Sequence, residues 1–107
     1  TGAKTAAAAR TNLGISATSL YNGTLTSGSI TFNYGNYNFY VIIGRPSSTA
    51  SRASLVVPKI MLTTSAVSFQ IADESNYKSF NLSYSGSTVT LSIQGGNGQV
   101  NRVFGIN

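Results

Sequence analysis

Residues 38–44 read Asn-Phe-Tyr-Val-Ile-Ile-Gly, the one place in this 107-residue chain where large apolar side chains run almost unbroken. A strand with one wet face alternates apolar and polar residues, whereas a strand covered on both faces does not. Phe39, Val41 and Ile43 point one way and Tyr40 and Ile42 the other. The stretch therefore reads as a central strand, buried on both sides, with the other apolar segments packed around it.

Moving outward, the flanks alternate. Ile30, Phe32 and Tyr34 precede the central strand, and Tyr34-Gly35-Asn36 reads as a hairpin-like turn into it. Earlier still, 20–22 is a short extended piece ended by Asn22-Gly23, and 24–26 continues extended before a bulge or turn at Ser27-Gly28. After the central strand, 55–62 is apolar but holds Pro58, which lacks a ladder donor and suits an edge or bulged strand. Val67, Phe69 and Ile71 alternate, a polar turn follows at 72–76, and Lys78, Phe80, Leu82 and Tyr84 share one face. Ser85-Gly86-Ser87 closes a hairpin onto Val89, Leu91 and Ile93; Gly95-Gly96-Asn97-Gly98 turns into a last strand at 100–106. Seven or eight short strands with regular turn signals predict an all-β, antiparallel β-sandwich of jelly-roll-like form.

The amino-terminal residues carry the only helical signal. Thr5 can cap, Ala6 to Ala9 favour helix, Arg10 suits the carboxyl end and Gly14 marks a stop. About nine residues are too few to be helical alone in water. Such a helix has to dock to be stable, and two readings stand: a frayed amino-terminal arm, or small alanine faces that meet across copies of the chain.

Composition bounds the chemistry. One domain of this size has a modest core, marginal when left alone. Apolar residues make up 41% and charged residues 8%, while Ser, Thr and Asn fill 38 positions, so the outer faces are expected to be neutral hydroxyls and amides. The net charge of +5 comes from seven scattered basic residues against Asp73 and Glu74, and 11–44 and 79–101 carry no charge. A nucleic-acid surface would cluster its bases, so no nucleic acid is expected. No apolar run approaches the ~20 residues of a spanning helix, and no membrane insertion is expected. The first residues lack the charged and apolar regions of a secretory signal. Beginning at Thr1 without methionine, the chain reads as a piece of something longer.

Cysteine and histidine are both absent, which removes disulfides, thiolate chemistry and the Ser-His-Asp and Cys-His arrangements. Adjacent Asp73 and Glu74 rarely chelate one ion and are poor candidates for the glycosidase pair, whose carboxylates stand on opposite sides of the bond roughly 5–10 Å apart. A solvated turn explains them better. The glycine-rich 95–98 segment lies between strands, whereas a phosphate loop opens a helix. No catalytic residue, cofactor or metal is expected, and the chain reads as non-enzymatic.

Recognition is left to aromatic and donor-rich side chains. Exposed tyrosine rings stack on sugar faces, with Arg or Asn beside them supplying hydrogen bonds. Tyr40 and Tyr84 suit the core, whereas Tyr37 and Tyr77 stand next to polar turns. Arg45 and Arg52 bracket the longest polar loop, and Asn97 sits in the glycine-rich turn. Loops on rigid sandwiches tend to carry recognition. Tyr37, Tyr77, Arg45, Arg52 and Asn97 are therefore the candidate receptor-binding residues.

Three segments carry a resemblance. Residues 3–16, AKTAAAARTNLGIS, resemble the Ala-rich piece that links shaft to module in bacteriophage tail fibre proteins. Residues 28–43, GSITFNYGNYNFYVII, are similar to paired strands of the β-sandwich tips on such fibres, and 103–107, VFGIN, to their terminal strand. The resemblance implies a connector over 1–16, a tip domain over 17–107, a homotrimer at the distal end of a virion fibre, and attachment to a host polysaccharide or outer-membrane protein. Two alternatives stand beside it: a trimerisation or folding cap without receptor contact, and a carbohydrate-binding module of a secreted enzyme.

Overall fold

The computed structural model describes residues 4–12 and 17–107. Thr5 caps as its side chain predicts: Thr5 Oγ1 accepts from the Ala8 N–H at 3.0 Å, opening helix α1 (Ala6–Asn12). The proposed stop at Gly14 lies outside the described residues. The apolar segments become strands β1 (Ala17–Leu25), β2 (Ser29–Asn33), β3 (Phe39–Arg45), β4 (Ala53–Pro58), β5 (Val67–Ala72), β6 (Tyr77–Ser85), β7 (Thr88–Gly96) and β8 (Gln99–Ile106). One sheet runs β1-β8-β3-β4, the other β2-β7-β6-β5, and the pairings are antiparallel.

Pairing first with last and second with seventh strand is the wrapping of a jelly roll. A complete jelly roll would also pair third with sixth and fourth with fifth. Here β3 and β4 form a hairpin, as do β5 and β6. Pro58 ends β4 at the edge of its sheet, where its missing donor leaves no ladder bond unmade.

The core lies where the inner faces meet. Tyr40, Ile42, Val57, Val100 and Val103 face Phe32, Ile71, Phe80, Leu82, Val89 and Leu91, all buried. Each fully buried large apolar side chain contributes about 1.5–3 kcal/mol. Tyr40 is the largest; its hydroxyl donates to the Tyr34 carbonyl at 2.5 Å, and burial pushes its pKa up to about 12.

Three expectations need correction. The stretch at 34–36 is not a hairpin: β2 and β3 belong to different sheets. The Tyr34 N–H donates to Ser87 O on one sheet, and the Asn38 N–H donates to Ile106 O on the other. A short Gly-containing turn looks the same whether the chain doubles back or crosses the core. Next, 20–22 and 24–25 lie in a single strand, β1, with Thr26 just beyond it, because the break at Asn22-Gly23 is absorbed as an irregularity in its pairing with β8. Finally, β3 is buried on one face only. Tyr40, Ile42 and Gly44 are enclosed, while Val41 and Ile43 are half-buried and Phe39 is 41% exposed.

Candidate functional site

Antiparallel order gathers four connections at one end of the sandwich: 26–28, 46–52, 73–76 and 97–98. They are tied together from within. Lys78, 2% exposed, belongs to the inward series of β6, and no carboxylate pairs with it. Its Nζ donates to Thr26 O at 2.9 Å and Gly96 O at 2.8 Å, joining the first connection to the last. Burial holds its pKa below the ordinary lysine value. Gly98 completes the knot: its N–H donates to Tyr77 O at 2.9 Å, and a Cβ there would strike the Arg45 and Pro46 carbonyl oxygens. Only glycine allows so close an approach.

On this base Tyr77 stands outward from the β6 sheet, 43% exposed. Its ring runs along Gly95 and Gly96. A Cβ at Gly96 would lie 2.8 Å from Tyr77 Cδ2, and one at Gly95 would lie 3.9 Å from the hydroxyl. Gly96 also has φ +97, a conformation that other residues rarely adopt. In the adjoining turns, Asn97 Nδ2 donates to Asn76 Oδ1 at 3.0 Å. Asp73 Oδ1 accepts from the N–H groups of Ser75 and Asn76 at 2.9 and 2.7 Å. These bonds lower the Asp73 pKa and shape the turn that presents Asn76.

Of the five candidate residues, the structure brings Tyr77 and Asn97 together. Arg45 is at the same end, but its position on β3 belongs to the outer series of the other sheet, and its Nη1 donates to Ser48 O at 3.1 Å within its own loop. Arg52 is exposed where that loop enters β4. Tyr37 lies at the opposite end. There its ring packs over Gly105, where a Cβ would come within 2.6 Å, and meets Tyr40 edge-on at 6.0 Å. That end is closed by aromatic rings. Tyr34 stacks on Tyr84 at 4.6 Å, and Lys59 Nζ caps the Tyr34 ring at 3.9 Å while donating to Gly35 O. An open depression of about 420 Å³ lies along the β2 edge, lined by Thr31, Asn33, Ser87 and Thr88.

Sequence reasoning missed Asn76, Gly95 and Gly96 as partners of Tyr77. The signal was present as paired glycines opposite the start of an aromatic-bearing strand, which leave room for a ring. The outer face of the β3 sheet was missed too. Val41, with Val56 and Phe104 opposite it in register, and Phe39, with Ile106 opposite it, form an apolar patch across three strands that Ile43 extends. Arg102 is at its margin, its guanidinium 4.4 Å above the Phe104 ring and its buried Nε without a partner.

Compared with protein-family models, curated proteins and solved structures, the chain matches none. Among the described residues no helix is long and apolar enough to cross a membrane.

Proposed function

We propose that this chain is the non-enzymatic receptor-binding tip of a bacteriophage tail fibre, acting outside the host cell on a surface glycan or outer-membrane protein. The observation that carries the reading is the end built around Tyr77: an exposed ring and an amide pair, on a base where buried Lys78 ties Thr26 to Gly96. Function placed on loops over a rigid scaffold is the usual design of recognition modules.

The tip is a homotrimer in this reading, with copies of the chain covering the outer face of the β3 sheet. The exposed side chains there support it, since Val56 is 56% exposed and continuous apolar patches on soluble proteins tend to be interaction sites. Three copies give avidity from weak single contacts. The rival is a folding cap that registers the fibre and touches no receptor. Competition separates the two. Purified chain added in excess is expected to reduce adsorption of phage carrying it to their host cells. Adsorption unaffected by saturating chain would leave only the cap.

A further inference from the structure

Resting on that attachment reading, we propose that Tyr77 is a stacking platform for a neutral hexopyranose. The ring is the floor of the subsite, and Asn97 and Asn76 read the sugar hydroxyls.

The geometry of the ring comes first. An aromatic side chain receives a sugar when one face is supported and the other is open. Gly95 and Gly96 supply the support by having no side chains: the ring extends along them from Cδ2 to hydroxyl. On the neighbouring strand the residue opposite Tyr77 is Ala72, exposed and too small to cover the ring. The backbone beneath is fixed, because Gly96 O accepts from buried Lys78 and Gly98 N donates to Tyr77 O. Preorganised aromatic contacts of this kind avoid most of the ordering cost of binding.

The amide pair comes second. One Asn97 donor and one Asn76 acceptor satisfy each other, and among the described residues the Asn97 carbonyl oxygen and the Asn76 NH2 make no further hydrogen bond. That leaves an acceptor and a donor on the residues that adjoin Gly96 and Tyr77 in the chain, the combination that vicinal hydroxyls need. Ser79, which pairs with Gly95 across the ladder and donates its hydroxyl to Gly95 O at 3.4 Å, adds a hydroxyl oxygen as an acceptor on the same outer face.

Charge then selects the class of sugar. The acids of the chain, Asp73 and Glu74, sit in the turn that carries Asn76. Two N–H donors favour ionised Asp73, which places a carboxylate on the Asn76 side of the platform. Arg45 belongs to the outer series of the other sheet. A carboxylated or sulfated sugar would meet repulsion at Tyr77, and a neutral pyranose would not.

The test is a printed array of neutral and acidic pyranosides probed with the full chain, Tyr77→Ala, Tyr77→Phe and Arg45→Ala/Arg52→Ala, with melting curves for each. Neutral pyranosides are expected to bind. Tyr77→Ala should lose about tenfold or more, the size of a good aromatic contact, without changing the melting transition. Tyr77→Phe keeps the ring and should stay within about threefold. Binding confined to acidic sugars, or lost with the arginines and kept by Tyr77→Ala, overturns the platform while attachment stands. An array without signal, together with cell binding that protease abolishes, overturns the glycan and keeps a protein receptor. Absence of both sugar and cell binding removes the platform and the attachment reading together.

Discussion

On the β6 sheet the outward positions form polar rows across the strands: Ser29, Ser92, Asn81 and Ser68 in one, Thr31, Thr90 and Ser83 in the next. On the β3 sheet the corresponding row is Val56, Val41 and Phe104, flanked by Phe39 and Ile106. The inner faces are alike, so the core does not account for the difference. A sheet whose outer face is hydroxyl and amide can stay in water at little cost, and Ser68 Oγ bonding Asn81 at 2.8 Å shows neighbours satisfying one another there. An apolar outer face gains only when something covers it, at about 25 cal/mol for each Å² removed from water. In the proposed trimer the two faces have different surroundings: solvent for one, other copies of the chain for the other.

A charge placed on each face separates these assignments, and here the largest effect is expected. Val41→Asp puts a carboxylate at the middle of the apolar row; buried without a partner it costs several kcal/mol, and assembly should be lost. Thr90→Asp, in the polar row, should change neither mass nor melting by more than ~0.5 kcal/mol. Equal behaviour of the two variants in gel filtration would erase the distinction between the faces.

The layer between the faces has its own signature in pH. Lys78 is held below its usual value of 10.5, so on approach to that pH the folded chain has released a proton that the unfolded chain still binds. Stability should therefore rise with pH in that window, and Lys78→Met should flatten the rise. Tyr40 acts in the opposite sense. Above pH 10 the unfolded tyrosine ionises while the folded one keeps its proton to about 12, so stability falls across that interval, by roughly 2–3 kcal/mol. Tyr40→Phe should reduce the fall. Denaturant titrations at stepped pH check both signs, and a monotonic decline from neutral pH would contradict the Lys78 assignment.

The smallest effect is expected at the loop between β3 and β4. Arg45→Ala with Arg52→Ala removes two side chains from a polar edge and should shift stability by no more than ~0.5 kcal/mol. Attachment to cells should weaken, because guanidinium groups suit the phosphates and carboxylates of bacterial surface polymers. Unchanged adsorption would remove these two arginines from the contact.

Much of this was legible in the residues because strand alternation is local. Val89, Leu91 and Ile93 indicate an inward face without reference to anything distant. Partition between sheets is not local: Tyr34-Gly35-Asn36 reads as a turn in either topology, and only pairing with Ser87 and Ile106 decides it. The unbroken apolar run at 39–43 correctly marked an inner strand of its sheet, but its second face is only half-buried at Val41 and Ile43 and exposed at Phe39. At the site, Tyr77 and Asn97 were legible as an aromatic and an amide beside turns. Their separation from Tyr37, and the carbonyl partners of Lys78, depend on contacts between segments as far as 52 positions apart.

Sedimentation equilibrium of the purified chain at micromolar concentration tests the difference between the faces most directly. A trimer covering the β3 sheet predicts the mass of three 11.2 kDa chains, with dissociation in Val41→Asp and none in Thr90→Asp. A single-chain mass for the parent protein would mean that the apolar face stands in water, contradicting the account.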